Sequence, residues 1–334
     1  MSPSLTRAGA GAAEAITDLR RRAGDACRRV EQAFLPRASV GLVIGAESIC
    51  AAHVVADADG RRVEEIRTEA LPVRLFGGAP TATMQQALAG ALEKIGAGFK
   101  DAYLPVHVAL PDPVIQLVVF ELEDLPKTKK SRAELVRWRL AKEFHAEGQP
   151  LDCAHQDLGA EDGKRLLLGQ AGDGSWLAAL KQALRDAGIT PWTINAGVCH
   201  RFNRFHDRFA SEANGGALVT LDPEWWTLTV WDREIRARLA RGRWRDGAAG
   251  NDGYEAIAAE AERTILSYVR GGVERAIGRV FIAGEAPATA GLSAALARRM
   301  RDGPVVLSAG ADFADAPAAA ESGYAPLALA AAVS

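Results

Sequence analysis

The segment Val40-Gly-Leu-Val-Ile-Gly-Ala-Glu-Ser-Ile-Cys50 joins two short apolar runs through a glycine turn. The first run, Ser39 to Ile44, ends at Gly45, and the second, Ile49 to Ala56, begins after Ser48. Apolar runs of strand length separated by such a short segment are typical of antiparallel strands. The turn between them places backbone N–H groups where they can face an anion.

The same order of elements occurs twice along the chain. In each half, three strands are followed by a helix whose apolar residues recur on one face. The predicted elements of the first half are strands at 39–44, 49–56 and 63–71 and a helix at 81–99, and those of the second half are strands at 217–221, 226–231 and 235–240 and a helix at 253–269. A strand at 280–283, a helix at 291–300 and a strand at 305–307 come next. The pattern therefore predicts a duplicated α/β architecture.

Between the two halves, residues 106–189 predict a small α+β segment. Its strands are predicted at 106–110, 114–122 and 166–171 and its helices at 132–146 and 176–187. Ser131 followed three residues later by Glu134 forms the pattern of a capping box, which predicts that the first of these helices begins after Ser131. Strands and helices together can cover one face of a sheet.

The overall charge argues against a protein that binds nucleic acid through its net electrostatic field. Lys and Arg total 40 of the 334 residues and Asp and Glu total 42, which gives a net charge of −2. No apolar run approaches the roughly 20 residues of a membrane-spanning helix, and the start of the chain lacks the order of a signal peptide. The four cysteines contain no C-x-x-C pair, which argues against a disulfide framework and a zinc site. We therefore expect a soluble, cytoplasmic protein.

Residues 1–36 predict a separate amphipathic leader helix. Apolar residues recur at helical spacing from Ile16 to Phe34, arginines flank this stripe, and Pro36 ends the pattern. Such a helix can pack on the body of the protein, or it can dock on a partner or a membrane surface. The sequence leaves both roles open.

The order of elements, together with particular strings, resembles the type IV pilus assembly protein PilM family, whose members have an actin-like ATPase fold. The stretch from Val40 to Cys50 is similar to the family's first phosphate loop. Leu166 to Phe202 resembles the end of the family's inserted subdomain and its return to the first sheet. Glu262 to Gly284 resembles the helix and strand that lead into the adenosine loop, and Tyr324 to Ala332 is similar to the closing helix. The resemblance extends over residues 38–334.

This resemblance implies an α/β protein with an actin-like, ribonuclease H-like fold of two duplicated lobes. Residues 38–105 and 190–214 would form the first lobe and residues 215–334 the second, with the inserted α+β subdomain at 106–189. It also implies a soluble protein at the cytoplasmic face of the inner membrane. Members of the family bind the short cytoplasmic tail of a single-span inner-membrane partner, and a similar partner is expected here.

The resemblance further places a nucleotide cleft between the lobes, lined by Gly45, Glu47, Ser48, Asp222 and Gly284. This cleft departs from the family pattern in every loop. The acidic residue and the lysine of the first loop align with Val43 and Cys50. In the second loop Asp222 stands at a glycine position, where its bulk and negative charge oppose the approach of phosphate. Glu285 replaces the second glycine of the adenosine loop. We therefore interpret the cleft as a degenerate nucleotide site.

The sequence is compatible with two functional hypotheses. The first is a non-catalytic adaptor of a type IV pilus or a related secretion machine, which needs no cofactor. The second is an active ATPase or small-molecule kinase that uses ATP with Mg²⁺, in which Glu47 and Asp222 would supply the carboxylates that magnesium prefers. The sequence favours the adaptor, because all three nucleotide loops depart from the family pattern and no G-x-S-x-G elbow, Walker loop or metal-binding histidine spacing gives positive support for an enzyme.

A run of arginines from Arg233 to Arg245 lies in and around the predicted strand 235–240, with Trp231 before it and Trp244 after it. Arginine beside aromatic residues occurs in nucleic-acid interfaces. A polar strand face or a surface for an acidic partner explains the same pattern, and we expect no nucleic-acid ligand.

Overall fold

The computed structural model describes residues 38–57, 60–97, 104–245, 251–270, 277–311, 313 and 316–334. The chain divides into two units, Met1–Arg37 and Ala38–Ser334. The predicted leader helix lies outside the described residues. Every described helix and strand belongs to the second unit.

The first half contributes β1 (Ala38–Ile44), β2 (Ser48–Asp57), β3 (Gly60–Ala70), α1 (Ala82–Gly96), β4 (Val106–Leu110), β5 (Gln116–Leu122), α2 (Lys129–Glu143), β6 (Leu151–Glu161), β7 (Lys164–Asp173), α3 (Gly174–Asp186), β8 (Pro191–Ala196), α4 (Gly197–Arg204) and α5 (His206–Phe209). The second half contributes β9 (Gly216–Leu221), β10 (Trp225–Trp231), β11 (Ala237–Trp244), α6 (Asn251–Arg270), β12 (Arg279–Gly284), α7 (Ala286–Ala297), β13 (Val305–Leu307), a 3₁₀ turn (Ala318–Glu321) and α8 (Ala325–Ala332).

Two five-stranded sheets have the same topology. The strand orders are β3-β2-β1-β4-β8 and β11-β10-β9-β12-β13. In each sheet the first three strands in chain order are antiparallel, the fourth pairs parallel with the first, and the fifth pairs parallel with the fourth. β1 and β9 are buried along both faces, which explains their nearly continuous apolar sequences. The predicted duplication and the two predicted meanders are confirmed.

The inserted subdomain is narrower than residues 106–189. β4 pairs with β1 and β8, so it belongs to the first sheet. At the other end, Leu180 and Leu184 of α3 share a buried core with Leu88 and Leu92 of α1. The separate three-stranded sheet is β5-β7-β6, with α2 packed against it, so the insertion spans 116–173. The sequence indicated the type of each element, whereas sheet membership depends on long-range pairing.

Each half also covers the sheet of the other. Phe205 and Phe209, predicted to belong to the first lobe, pack against Leu218 and Phe281 of the second sheet. The final helix α8, predicted to belong to the second lobe, packs on β1, β2 and β4. Its fit to β1 is close, because Gly41 faces the α8 backbone and the Ser39 hydroxyl donates to the Ala332 carbonyl at 2.5 Å. Both segments therefore pack on the sheet of the lobe opposite to the one in which they were predicted.

Two predicted helix starts also need correction, and three elements were not predicted. α2 begins three residues before the predicted start, because the Thr128 hydroxyl, and not Ser131, accepts the N-terminal N–H bond at 3.1 Å. α7 begins at Ala286 and not at Gly291, because Pro287 lies in its first turn, where a missing N–H costs nothing. Strand β6 and helices α4 and α5 had no predicted counterpart.

Among the described residues, no helix combines the length and the apolar character required to cross a lipid bilayer.

A buried histidine makes the packing of α4 sensitive to pH. His200 is 1% exposed, its Nε2 donates to the Val108 carbonyl at 3.2 Å, and its Nδ1 faces the Ser334 hydroxyl at 2.6 Å. Burial lowers the pKa of His200 to about 4, with the His107 ring nearby acting in the same direction. In the unfolded chain the pKa of His200 returns to about 6.5. Between about pH 6.5 and 4 the unfolded state therefore binds more protons than the folded state, and the free energy of unfolding decreases as the pH falls through this range.

We therefore expect His200→Gln, whose amide keeps a donor toward Val108, to remove this acid sensitivity. Urea unfolding of the wild type and of His200→Gln between pH 7.5 and 4 measures how the free energy of unfolding depends on pH. The stability of the wild type relative to the variant should decrease by about 3 kcal/mol over this range. A difference that stays constant with pH contradicts the assignment.

Candidate functional site

Two equivalent turns meet across the cleft between the sheets. The turn from β1 to β2 contains Gly45, Ala46 and Glu47, and the turn from β9 to β10 contains Asp222 and Glu224. The Ala46 N–H donates to Oε2 of Glu224 at 2.7 Å. The anion that faces the backbone of the first turn is therefore a carboxylate of the chain itself.

Tyr324, just before α8, completes this contact. Its hydroxyl donates to the same Oε2 of Glu224. Its ring covers Gly45 so closely that a Cβ atom at position 45 would lie 2.3 Å from the ring, and it stacks on the buried Trp225 with ring centroids 5.2 Å apart. Burial, and then the negative charge of Glu224, raise the pKa of the Tyr324 phenol far above its usual value, so it remains a hydrogen-bond donor.

The other two predicted residues of the first turn have different roles. Glu47 is exposed and pairs with Arg74, at 2.6 Å between Oε1 and Nη1. The same Arg74 nitrogen lies 3.6 Å from Oε1 of Glu224, and the guanidinium stands over the Trp244 ring. Ser48 closes the turn through its backbone, because its carbonyl accepts the Gly45 N–H at 2.9 Å. Glu47 thus supports Arg74 at the rim.

Asp222 does not present an uncompensated charge to the cleft, contrary to the prediction from its position. Arg201 of α4 binds it through two hydrogen bonds of 2.5 and 2.6 Å, and both side chains are buried. The Asp222 N–H is taken by the Trp225 carbonyl, and Arg245 donates to the carbonyls of Asp222 and Pro223 at 2.9 and 3.2 Å. The second turn therefore has few free N–H groups that could bind a phosphate.

A second buried carboxylate lies beside this pair. Asp112 accepts the Val198 N–H at the start of α4 at 2.9 Å and also accepts the Thr227 hydroxyl of β10. Burial, partly opposed by these hydrogen bonds, raises the pKa of Asp112 to about 6. Because Asp112 lies two residues after the end of β4 in the first sheet, its bond to Thr227 is a further link between the two sheets.

Gly284 serves close backbone packing at the end of β12. Its φ is +149°, and a Cβ atom would lie 1.9 Å from the Leu221 carbonyl oxygen. Only glycine fits this approach between β12 and β9. Glu285 follows at the start of α7, half-buried and without a capping hydrogen bond from its side chain.

The alternative metal site finds no support in the arrangement of its two carboxylates. Glu47 is engaged by Arg74 at the rim, whereas Asp222 is engaged by Arg201 in the interior. Within the described ranges, no three His, Cys, Asp or Glu side chains come together as they would around a metal ion.

The arginine run lies beside the inserted subdomain. Arg236 and Arg238 bind both Asp232 and Glu161, and Glu161 belongs to β6. The hydrogen bond and charge of Arg238 lower the pKa of Glu161. These residues line an open groove of about 1610 Å³ between the insertion and the second sheet. Two of the arginines are thus part of internal ion pairs.

The fold has counterparts among solved structures. A chain of a PilM–PilN type IV pilus biogenesis complex superimposes with a TM-score of 0.68 at 17% sequence identity, covering 89% of this chain and 98% of that one. A Bacteroides thetaiotaomicron protein of unknown function, described as having an actin-like ATPase fold, superimposes with a TM-score of 0.51 at 9% identity, covering 81% of this chain and 91% of that one. The chain has the actin-like ATPase fold.

This fold agrees with the one that the resemblance of the sequence implied. No protein-family model matches the chain. No curated protein matches it either. The actin-like fold is recognised from the topology of its two sheets.

Four residues of the actin-like cleft were not predicted from the sequence to belong to it: Asp112, Arg201, Glu224 and Tyr324. Glu224 is 178 residues from Ala46, and Tyr324 is 100 residues from Glu224. A tyrosine at the start of a closing helix and a glutamate after Asp-Pro carry no local signal of a shared contact. The signal appears only when the two turns are placed opposite each other.

Proposed function

We propose that this protein is a non-catalytic actin-like adaptor of a type IV pilus or a related secretion machine. It is cytoplasmic and peripheral at the inner face of the inner membrane, where it binds the cytoplasmic tail of a single-span membrane protein. The likeness to a chain of a PilM–PilN complex supports the machine and the kind of partner. The observation that carries the non-catalytic role is the occupation of both turns by groups of the protein itself.

The physical argument concerns what magnesium and triphosphate would require. A bound phosphate needs free N–H donors, and Mg²⁺ needs carboxylate or water ligands near them. Here the Ala46 N–H is taken by Glu224, the Asp222 N–H by Trp225, and the Asp222 carboxylate by Arg201. Val43 is apolar and fully buried at the position of the family's acidic residue. Nucleotide would have to displace these partners.

We expect no saturable heat in calorimetric titration of the wild type with Mg-ATP up to about 1 mM, which corresponds to a binding free energy weaker than about −4 kcal/mol. Phosphate release should stay at the level of a blank without protein. Micromolar binding that is abolished in Glu47→Ala would contradict the proposal and favour the ATPase or kinase, because Glu47 is the exposed carboxylate of that alternative.

The partner is tested separately. A pilus-type adaptor should be encoded beside a short single-span membrane protein, and a fluorescent peptide of that protein's cytoplasmic tail is the probe. Fluorescence anisotropy should show saturable binding to the full chain, with a scrambled peptide of the same composition as the control. Equal binding of both peptides, or of neither, contradicts the assigned partner.

A further inference from the structure

Two hydrogen-bond donors and one cation face the carboxylate of Glu224. The Ala46 N–H, at 2.7 Å, and the Tyr324 hydroxyl both donate to Oε2, and the Arg74 guanidinium forms a longer ion pair, with its Nη1 3.6 Å from Oε1. The Glu224 side chain is only 11% exposed. A backbone N–H in a turn, a phenol and an arginine form the kind of donor set that binds a small oxyanion.

We propose that these donors form an anion-binding site whose resident ligand is the Glu224 carboxylate, and that this internal ligand holds the two lobes together. The inference extends the proposed function, because it assumes that no nucleotide occupies the wild-type cleft. It assigns a binding site for a carboxylate or phosphate group that becomes available to external anions only when Glu224 is removed.

The contact lies where an anion would link the lobes. Ala46 belongs to the turn of the first sheet and Glu224 to the equivalent turn of the second. Glu224 is itself held in place, because its carbonyl accepts the Arg245 N–H at 2.7 Å while the Arg245 side chain fixes the two preceding carbonyls. On the opposite side, Tyr324 is fixed between Gly45 and Trp225. The donors and the acceptor are therefore both pre-positioned.

Glu224→Ala tests the proposal, because it removes the carboxylate and leaves the Ala46 N–H, the Tyr324 hydroxyl and the Arg74 guanidinium in place. We expect its melting temperature to fall by about 5–10 °C. Sodium formate, whose anion reproduces the missing carboxylate, should raise it again by about 3 °C when present at about ten times its dissociation constant. Sodium phosphate tests whether the site also takes a phosphate, and sodium chloride at matched ionic strength is the control.

Glu224→Gln is the matched variant, since its amide fills the same space. It should lose part of the stability, but formate should produce no shift beyond that of chloride. The wild type should also show none. A formate effect of equal size in the wild type and in Glu224→Ala overturns the proposal, as does the absence of any formate effect in Glu224→Ala.

A second measurement keeps the proposal testable if Glu224→Ala does not fold. Tyr324→Phe keeps the ring on Gly45 and removes only the hydroxyl, so it should fold. Amide hydrogen exchange of Ala46 should accelerate about tenfold in Glu224→Gln and less in Tyr324→Phe. Unchanged exchange in both variants overturns the proposal. Binding of Mg-ATP by the wild type would instead count against the proposed function, so the two failures are distinguishable.

Discussion

Replacing Arg201 with methionine is expected to lower the free energy of unfolding by about 3–5 kcal/mol. The guanidinium makes two hydrogen bonds to Asp222, and both side chains are at most 1% exposed. Without it, the Asp222 carboxylate stays buried with no compensating charge, and the neighbouring Asp112 carboxylate also loses a favourable charge. Denaturant unfolding followed by circular dichroism measures the loss directly.

The matched control is the double variant Arg201→Met/Asp222→Leu, which removes both charges and keeps apolar volume in the same place. Replacing a complete buried ion pair in this way is often nearly neutral, whereas removing one partner is strongly destabilising. The double variant should therefore recover most of the stability lost in Arg201→Met. If the two losses simply add, the pair is not the coupled unit that its geometry indicates.

The second large effect concerns the contact between β1 and α8. A Cβ atom at Gly41 would lie 1.8 Å from the Ala328 carbonyl oxygen and 2.6 Å from the Ala332 nitrogen. Both obstacles are helix backbone and cannot rotate away, so Gly41→Ala must push α8 off the first sheet. We expect a loss of about 3–5 kcal/mol, comparable to the removal of a large core side chain.

Gly90→Ala is the control with the same chemical change. Gly90 lies in the exposed part of α1, and a Cβ atom there meets nothing within 4 Å. Because alanine favours the helix over glycine, this variant should gain about 0.5–1 kcal/mol. Thermal unfolding of the two variants should therefore give shifts of opposite sign. A loss in Gly41→Ala no larger than about 1 kcal/mol contradicts the close fit of α8.

Local patterns were sufficient for most of the regular elements. Alternating or continuous apolar runs located β1, β2, β9 and β10, and the glycine turn after Ile44 located the first cleft loop. Prediction of the helix ends was weaker, as α2 and α7 show, because several neighbouring residues can cap a helix or begin one. Which residue does so depends on small differences in local hydrogen bonding.

The sequence predicted residues of the candidate site but not the residues that contact them. Gly45 lies in the turn after β1 and Gly284 ends β12, and the reasons they must be glycine are the Tyr324 ring and the Leu221 carbonyl. Asp222 was expected to repel phosphate, whereas its charge is compensated by Arg201. Both partners come from segments whose position in space no local pattern encodes.

The sequence by itself therefore determined the duplicated order of strands and helices and the chemical departures of the cleft loops, because periodicity and residue type act over a few neighbouring residues. Only the tertiary structure decided which segments cross between the lobes and that Glu224 occupies the first turn. The bond from Ala46 to Glu224 joins residues 178 positions apart, and the bond from Ser39 to Ala332 joins residues 293 positions apart. The energies of such contacts depend on burial and distance that arise only when the two sheets have formed.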